Sequence, residues 1–253
     1  MVFLGAYGLY TAGRWLAVAD LEPAREHAHD LLRLERALGI AVERSVQDGL
    51  DGGALRWLLS YLYLGAQLVV VPAALLWLYR RSFTIYRRLR DTVIATWALA
   101  IPIHAAFPVA PPRLAGMGMT DVVSQQAAVG MTGRSTMFYN QFAAMPSLHC
   151  GFACAVGLAL AVAVRGRPAR VLALLWGPIV CVTVVATGNH YVVDVVAGIA
   201  VSVLGFVARP LASRLWAAAR RTTAASGRAR PCQGVVAGGP PMSPAAPAGN
   251  LAS

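Results

Sequence analysis

Four stretches of this chain contain no Asp, Glu, Lys or Arg: Trp57 to Tyr79, Thr92 to Pro112, Ser135 to Val164 and Val171 to Asn189. Each approaches or exceeds the roughly 20 residues with which a helix crosses a bilayer, so each predicts a span. Two further runs are shorter or interrupted. Met1 to Ala19 carries Arg14, and His190 to Ala208 carries Asp194 one turn inside its start. Counting both, the sequence predicts an all-α, polytopic membrane helical bundle with about six transmembrane helices. The first run lacks the basic flank expected ahead of a first span, which fits a start lying upstream or a remnant of a signal sequence. No A-x-A-like cleavage site follows it, which argues against a signal peptide.

Composition closes off other classes. The set AVILMFWYC supplies 57% of the residues and charged residues 13%, with a mean hydropathy of +0.58. A soluble domain is about half apolar and a quarter charged, so an ordinary water-soluble enzyme, a disordered chain and a disulfide-stapled scaffold are excluded. The net charge of +11 fits either nucleic-acid binding or a membrane protein with basic cytoplasmic loops. Position decides. Arg80, Arg81, Arg87, Arg88 and Arg90 precede the third span, Arg165, Arg167 and Arg170 join the fourth to the fifth, and six more follow the sixth. The opposite connections hold half as many, among them Arg25, Arg33, Arg36, Arg44, Arg56, Arg113 and Arg134. The richer side is cytoplasmic by the positive-inside rule. No nucleic-acid partner is expected.

Two segments fall outside the spans. From Asp30 to Val46, Leu31, Leu34, Leu38, Ala41 and Val42 recur at helical spacing, which suits an amphipathic helix on the outer membrane surface or packed against the spans, the latter preferred. Beyond Ser226, five Gly and five Pro mark a tail without a core. The expected organisation is residues 1–50 for the first span and outer-face segment, 51–215 for a membrane-embedded catalytic helical core, and 216–253 for a disordered cytoplasmic tail. Cys150, Cys154 and Cys181 fall in predicted spans and Cys232 in the tail, with no disulfide or metal-ligand pattern.

Ionisable groups inside a bilayer are expensive and mark function by default. His104, His149 and His190 are in or at the ends of spans, whereas His27 and His29 lie in the acidic outer segment. Only Asp91, Asp121 and Asp194 lie beyond the acidic segment that ends at Asp51. His190 and Asp194 are four apart, on one helix face, so Asp194 can hold one ring nitrogen and leave the other as a nucleophile. Alternating spans bring His149, His190, Asp194 and Arg113 to the same outward face. This set suits phosphoryl transfer: Arg113 clamps a phosphate, and the starts of spans four and six add backbone donors. His190 attacks phosphorus, and His149 gives its proton to the leaving alkoxide. No metal is expected, because Asp194 is better placed to orient its helix neighbour than to ligate.

These residues resemble the type 2 phosphatidic acid phosphatase superfamily, whose signature reads KxxxxxxRP, PSGH and SRxxxxxHxxxD. Here the second part is PSLH, Pro146 to His149, and the third ends HYVVD, His190 to Asp194. The likeness covers roughly residues 90 to 208. Arg113 matches the Arg of the first part, while Ala106 replaces its Lys and Leu114 its Pro; Thr183 and Val184 stand for the Ser and Arg of the third. Arg134, Asn140, Gln141 and Asn189 are substitutes by position for the missing cations. The segments FPVAPPR, AAMPSLH and TGNHYVVD resemble the inositol phosphorylceramide synthase branch. The resemblance implies a helical membrane enzyme with no cofactor, in which His190 is nucleophile, Asp194 its partner and His149 the acid and base. Arg113, Ser147 and Asn189 would meet the substrate phosphate, with Ser147 either donating to it or capping span four.

The expected function is a multi-pass cell-membrane phosphatase or phosphotransferase acting on a lipid-linked phosphate through a phosphohistidine at the extracytoplasmic face. A non-catalytic transporter or scaffold on the same fold is the alternative.

Overall fold

The computed structural model describes residues 21–50, 52–126 and 142–228, and every regular element among them is a helix. In chain order these are α1 (Leu21–Leu38), α2 (Glu43–Asp48), α3 (Gly53–Gly65), a π-helical turn (Ala66–Val70), α4 (Val71–Arg81), α5 (Phe83–Ala106), α6 (Val122–Gln126), α7 (Leu148–Ala163), α8 (Arg167–Ala186) and α9 (Val192–Arg228). The chain divides into a unit of residues 1–212 and one of residues 213–253. Residues 216–228, expected within a disordered tail, belong to α9. The expected first span, Met1 to Ala19, lies outside the described residues.

Among the described residues, two helices are long and apolar enough to cross a membrane: the continuous stretch Gly53–Arg81, 29 residues of mean hydropathy 1.8, and α8, 20 residues of mean hydropathy 2.0. Of the six expected spans, Met1 to Ala19 lies outside the described residues, and α7 and the apolar part of α9 are shorter than the uncharged runs that predicted them. Absence of charge extends further than helix does. The run from Ser135 contains Pro146 and Ser147, and α7 starts only after them, leaving 16 residues. At 1.5 Å per residue that is about 24 Å, against a hydrocarbon core of about 30 Å. The run ending at Pro112 leaves the helix already at Phe107, and α5 opens with Arg87, Arg88, Arg90 and Asp91. The apolar part of α9, Val192–Ala208, is likewise short.

The amphipathic segment differs from its expectation too. Gly39, at φ 69°, stops α1 where a side chain would be strained, and the chain resumes as α2. The buried stripe of α1 is Ala24, Ala28, Leu31 and Glu35, whereas Leu34 and Leu38 are exposed. Small residues won the inward face because α1 packs closely on the loops around Val109, Ala110, Ala115, Ala144 and Tyr191.

Helices α7, α8 and α9 meet at backbone distance. A Cβ on Gly198 would overlap the Ser147 carbonyl, one on Gly157 would lie 2.6 Å from the Ala173 oxygen, and one on Gly151 2.7 Å from the Gly198 oxygen. Small residues at crossings are the usual means by which helices associate where burial of apolar surface gives no drive. Buried hydroxyls are satisfied inside their own helices: Ser60, Thr92, Thr96, Thr183 and Thr187 each donate to the carbonyl four residues earlier. Outward-facing positions are apolar, with Val162 and Leu172 each 70% exposed.

Candidate active site

Ser147 starts α7: its hydroxyl accepts from the Cys150 amide at 3.4 Å. That is the capping role of the two open to it, and the side chain is fully buried. Its own amide donates to the Asp194 carbonyl at 3.0 Å, tying α7 to α9. His149 follows within the first turn of α7 and stacks on Tyr63 of α3, ring centroids 4.2 Å apart and planes 19° from parallel. Its ring lies 6.0 Å from that of His190.

His190 sits just before α9. Its Nδ1 is 2.8 Å from the Ala144 carbonyl oxygen, and because a carbonyl only accepts, Nδ1 carries a proton. The lone pair of the neutral ring is therefore on Nε2. Asp194, fully buried, approaches Nδ1 at 3.5 Å, longer than a normal hydrogen bond, while its Oδ2 accepts from the Tyr191 amide at 2.9 Å. The orienting bond expected of Asp194 thus comes first from the Ala144 carbonyl, with the carboxylate as a neighbouring charge.

Arg113 lies on the loop after α5. Its Nε donates to Asn189 Oδ1 at 2.9 Å, and Nη1 is 3.5 Å from Asp121 Oδ2. Asn189 in turn donates to the Thr187 hydroxyl at 2.9 Å. Gly188, at φ 71°, makes the turn that sends the chain from α8 into Asn189 and His190, and its carbonyl receives the Arg113 amide at 3.1 Å. Two of the three expected phosphate ligands, Arg113 and Asn189, are therefore in contact and fixed beside the nucleophile candidate. Arg134, Asn140 and Gln141 lie outside the described residues.

The segment α1–α2 fastens both loops. Gln47 donates to the Thr120 carbonyl at 3.0 Å and to that of Ala186 at 3.4 Å, and accepts from the Thr120 amide at 2.8 Å. Arg25 donates to the Leu114 carbonyl at 3.0 Å, and the Ala110 amide to the Ala24 carbonyl at 2.9 Å. Glu43 accepts from the Val192 amide at 3.0 Å and Glu35 from the Val193 amide at 2.8 Å. With Asp194 on Tyr191, three consecutive amides at the start of α9 end on carboxylates. These three amides of the helix start, expected to be open to the substrate phosphate, are already taken. Burial, reinforced by Glu43 and Asp194, pushes the Glu35 carboxyl from its ordinary 4.5 up to about 8, against the opposing pull of the Val193 amide.

The structure brings together His149, His190, Asp194, Ser147, Asn189 and Arg113. It adds groups the sequence reading left out. His104 of α5 donates from Nε2 to the Pro146 carbonyl at 3.1 Å, fixing the turn before Ser147. Glu35 carried a signal: a charge on the stripe of Ala24, Ala28 and Leu31, spaced like a core position. Tyr63, Glu43 and the Ala144 carbonyl carried none, since their partners are distant in sequence. A family model described as the PAP2 superfamily matches residues 29–208. No curated protein and no solved structure matches the chain.

Proposed function

The chain belongs to the PAP2 superfamily, whose members are phosphoesterases, and from that premise we propose that it is an integral membrane enzyme that removes or transfers the phosphoryl group of a lipid-linked phosphate through a phosphohistidine. The observation that carries this reading is the pair of rings, His149 and His190, 6.0 Å apart at the starts of two helices joined by the Ser147–Asp194 bond. Both are within reach of one phosphoryl group.

With Nδ1–H held by Ala144, Nε2 of His190 attacks phosphorus, forming a P–N bond as the P–O bond to the lipid alkoxide breaks. His149 delivers the proton to that oxygen. Asp194 and the Ala144 carbonyl offset the positive charge gained by the His190 ring. Arg113, steadied by Asn189 and Asp121, holds the non-bridging oxygens. Water or an acceptor hydroxyl then attacks the phosphohistidine, His149 takes its proton, and the P–N bond breaks. Water makes the enzyme a phosphatase and an alcohol makes it a phosphotransferase. The motifs FPVAPPR, AAMPSLH and TGNHYVVD support the inositol phosphorylceramide synthase-like branch and leave both outcomes open.

A lipid substrate is supported by the apolar outer faces of α7, α8 and α9. The arginine distribution supports a multi-pass cell-membrane protein whose site faces the extracytoplasmic side. The deciding experiment quenches the purified protein during turnover of a radiolabelled lipid phosphate, isolates the acid-labile phosphohistidine, and asks whether water or an added polyol releases the group. The label is expected on wild type and not on His190→Ala; full turnover by His190→Ala would sink the proposal. Binding of lipid phosphate without turnover by wild type would favour the transporter or scaffold instead. Cysteine labelling near Arg134 tests the face, and reagent access only from the cytoplasm would reverse it.

A further inference from the structure

Three buried carboxylates converge on the start of α9. Glu35 and Asp194 are fully buried and Glu43 is 4% exposed. The buried Tyr191 faces all three carboxylates, its hydroxyl donating to the Ala110 carbonyl at 3.3 Å, and the cations on the surrounding elements are engaged elsewhere: Arg25 with Leu114 and Glu22, Arg113 with Asn189 and Asp121, Arg44 with Asp48 and Met117, while His27 meets the Pro108 carbonyl. His190, 3.5 Å from Asp194, is the group able to carry positive charge that meets the cluster. Helix amides and the helix dipole favour negative charge here, but three buried like charges cannot all ionise at neutral pH. Oε2 of Glu35 and Oδ1 of Asp194 are both buried with no hydrogen-bond partner, the other oxygen of each serving a backbone amide; Asp194 has the His190 ring at 3.5 Å to offset a charge, which leaves Glu35 as the neutral carboxyl.

We propose that Glu35 and Glu43 are positioning residues for the reaction at His190: together they clamp the first turn of α9, and the clamp holds only while Glu35 is protonated. The inference rests on the phosphoryl-transfer reading for what His190 does, and on the hydrogen bonds alone for the clamp. When the proton leaves, a third charge appears beside Glu43 and Asp194. The repulsion is relieved by giving up the Val192 and Val193 amides, and His190 moves off the Ala144 carbonyl.

The direction of the pH effect follows from burial. A carboxyl held up to about 8 in the fold, from an ordinary 4.5, contributes stability that is full below 4.5 and is lost as pH rises through 8. One proton with that value leaves about a tenth of the clamp intact at pH 9.

The test uses the full chain in detergent micelles, with melting temperature, kcat and KM on a lipid phosphate followed from pH 6 to 9. Wild-type kcat is expected to fall about tenfold between pH 7 and pH 9 with KM little changed, while Tm falls over the same range. Glu35→Gln keeps an acceptor for Val193 and a neutral head, so neither its kcat nor its Tm should fall over that interval. Glu35→Ala is expected to lose kcat at every pH. Parallel alkaline falls in wild type and Glu35→Gln would overturn the proposal, as would Glu35→Ala with wild-type kcat and only a lower Tm. If no lipid phosphate is turned over at any pH, the phosphoryl-transfer reading fails. The two Tm profiles still decide the clamp, and parallel profiles reject it.

Discussion

Helices α7 and α9 each begin beside a site histidine, yet they begin by different means. The start of α7 is local: Pro146 and Ser147 precede it, and the Ser147 hydroxyl closes the turn three residues on. The start of α9 is closed from afar, by Glu43 across 149 residues and by Glu35 across 158. A hydroxyl cap satisfies one amide without adding charge. Three carboxyl groups satisfy three amides, and the two that stay ionised concentrate negative charge beside His190. The consequence is a division of labour. The α9 end fixes the candidate nucleophile with three of its amides on carboxylates, so in the proposed reaction the phosphate is assigned to Arg113, Asn189 and the α7 side.

The largest effect that tests this division falls on the histidines. His190→Ala is expected to abolish phosphohistidine formation and turnover, whereas His149→Ala should lower kcat by about 10²–10⁴ and leave some labelled intermediate with a good leaving group. Single-turnover labelling separates them. Equal residual labelling in both variants would break the assignment of nucleophile to α9 and acid to α7.

Next in size is the cap of α9. Glu43→Ala leaves the half-buried Val192 amide without its partner, which costs about 1 kcal/mol, and it also removes packing. Thermal melts of the variant should show that loss, with kcat falling because the same turn carries His190. Of similar size is Gly198→Ala, whose Cβ would overlap the Ser147 carbonyl at the α7–α9 crossing. Backbone resists displacement, so overpacking here is expected to cost about 1–3 kcal/mol. Because Ser147 is pushed, His149 moves with it. A variant with wild-type Tm and wild-type kcat would show that the two helix starts are not mechanically joined.

The same contrast explains what the sequence could disclose. Helical class and the closeness of Asp194 to His190 were legible because charge scarcity and four-residue spacing are local properties, while the orienting bond from the Ala144 carbonyl was not. The Ser147 cap was legible for the same reason. The ends of the apolar helices were not, because an uncharged run does not report where Pro146 ends a loop or where Phe107 ends a helix. The inward face of α1 was misread as Leu34 and Leu38 because hydrophobicity alone ranks Leu above Ala, while close approach to the loops selected Ala24 and Ala28. The carboxylate clamp was hidden because hydrogen bonds across some 150 residues leave no spacing to detect.

The smallest effect is expected at Ser147, and it sharpens the comparison most cleanly. If the hydroxyl only caps α7, Ser147→Ala removes one acceptor and costs about 1 kcal/mol, about 2–4 °C in Tm for a chain of this size. The Ser147 amide still donates to the Asp194 carbonyl in that variant, since the bond is to backbone on both sides. His149 and His190 therefore keep their spacing, and kcat/KM should stay within about threefold, under 1 kcal/mol of transition-state stabilisation. A hydroxyl that instead donates to the phosphate would reverse the pattern, with Tm unchanged and kcat/KM lower by tenfold or more. Melting curves and steady-state rates on the one variant distinguish the two outcomes, because a helix cap and a phosphate ligand draw on different oxygen geometry at the same fully buried side chain.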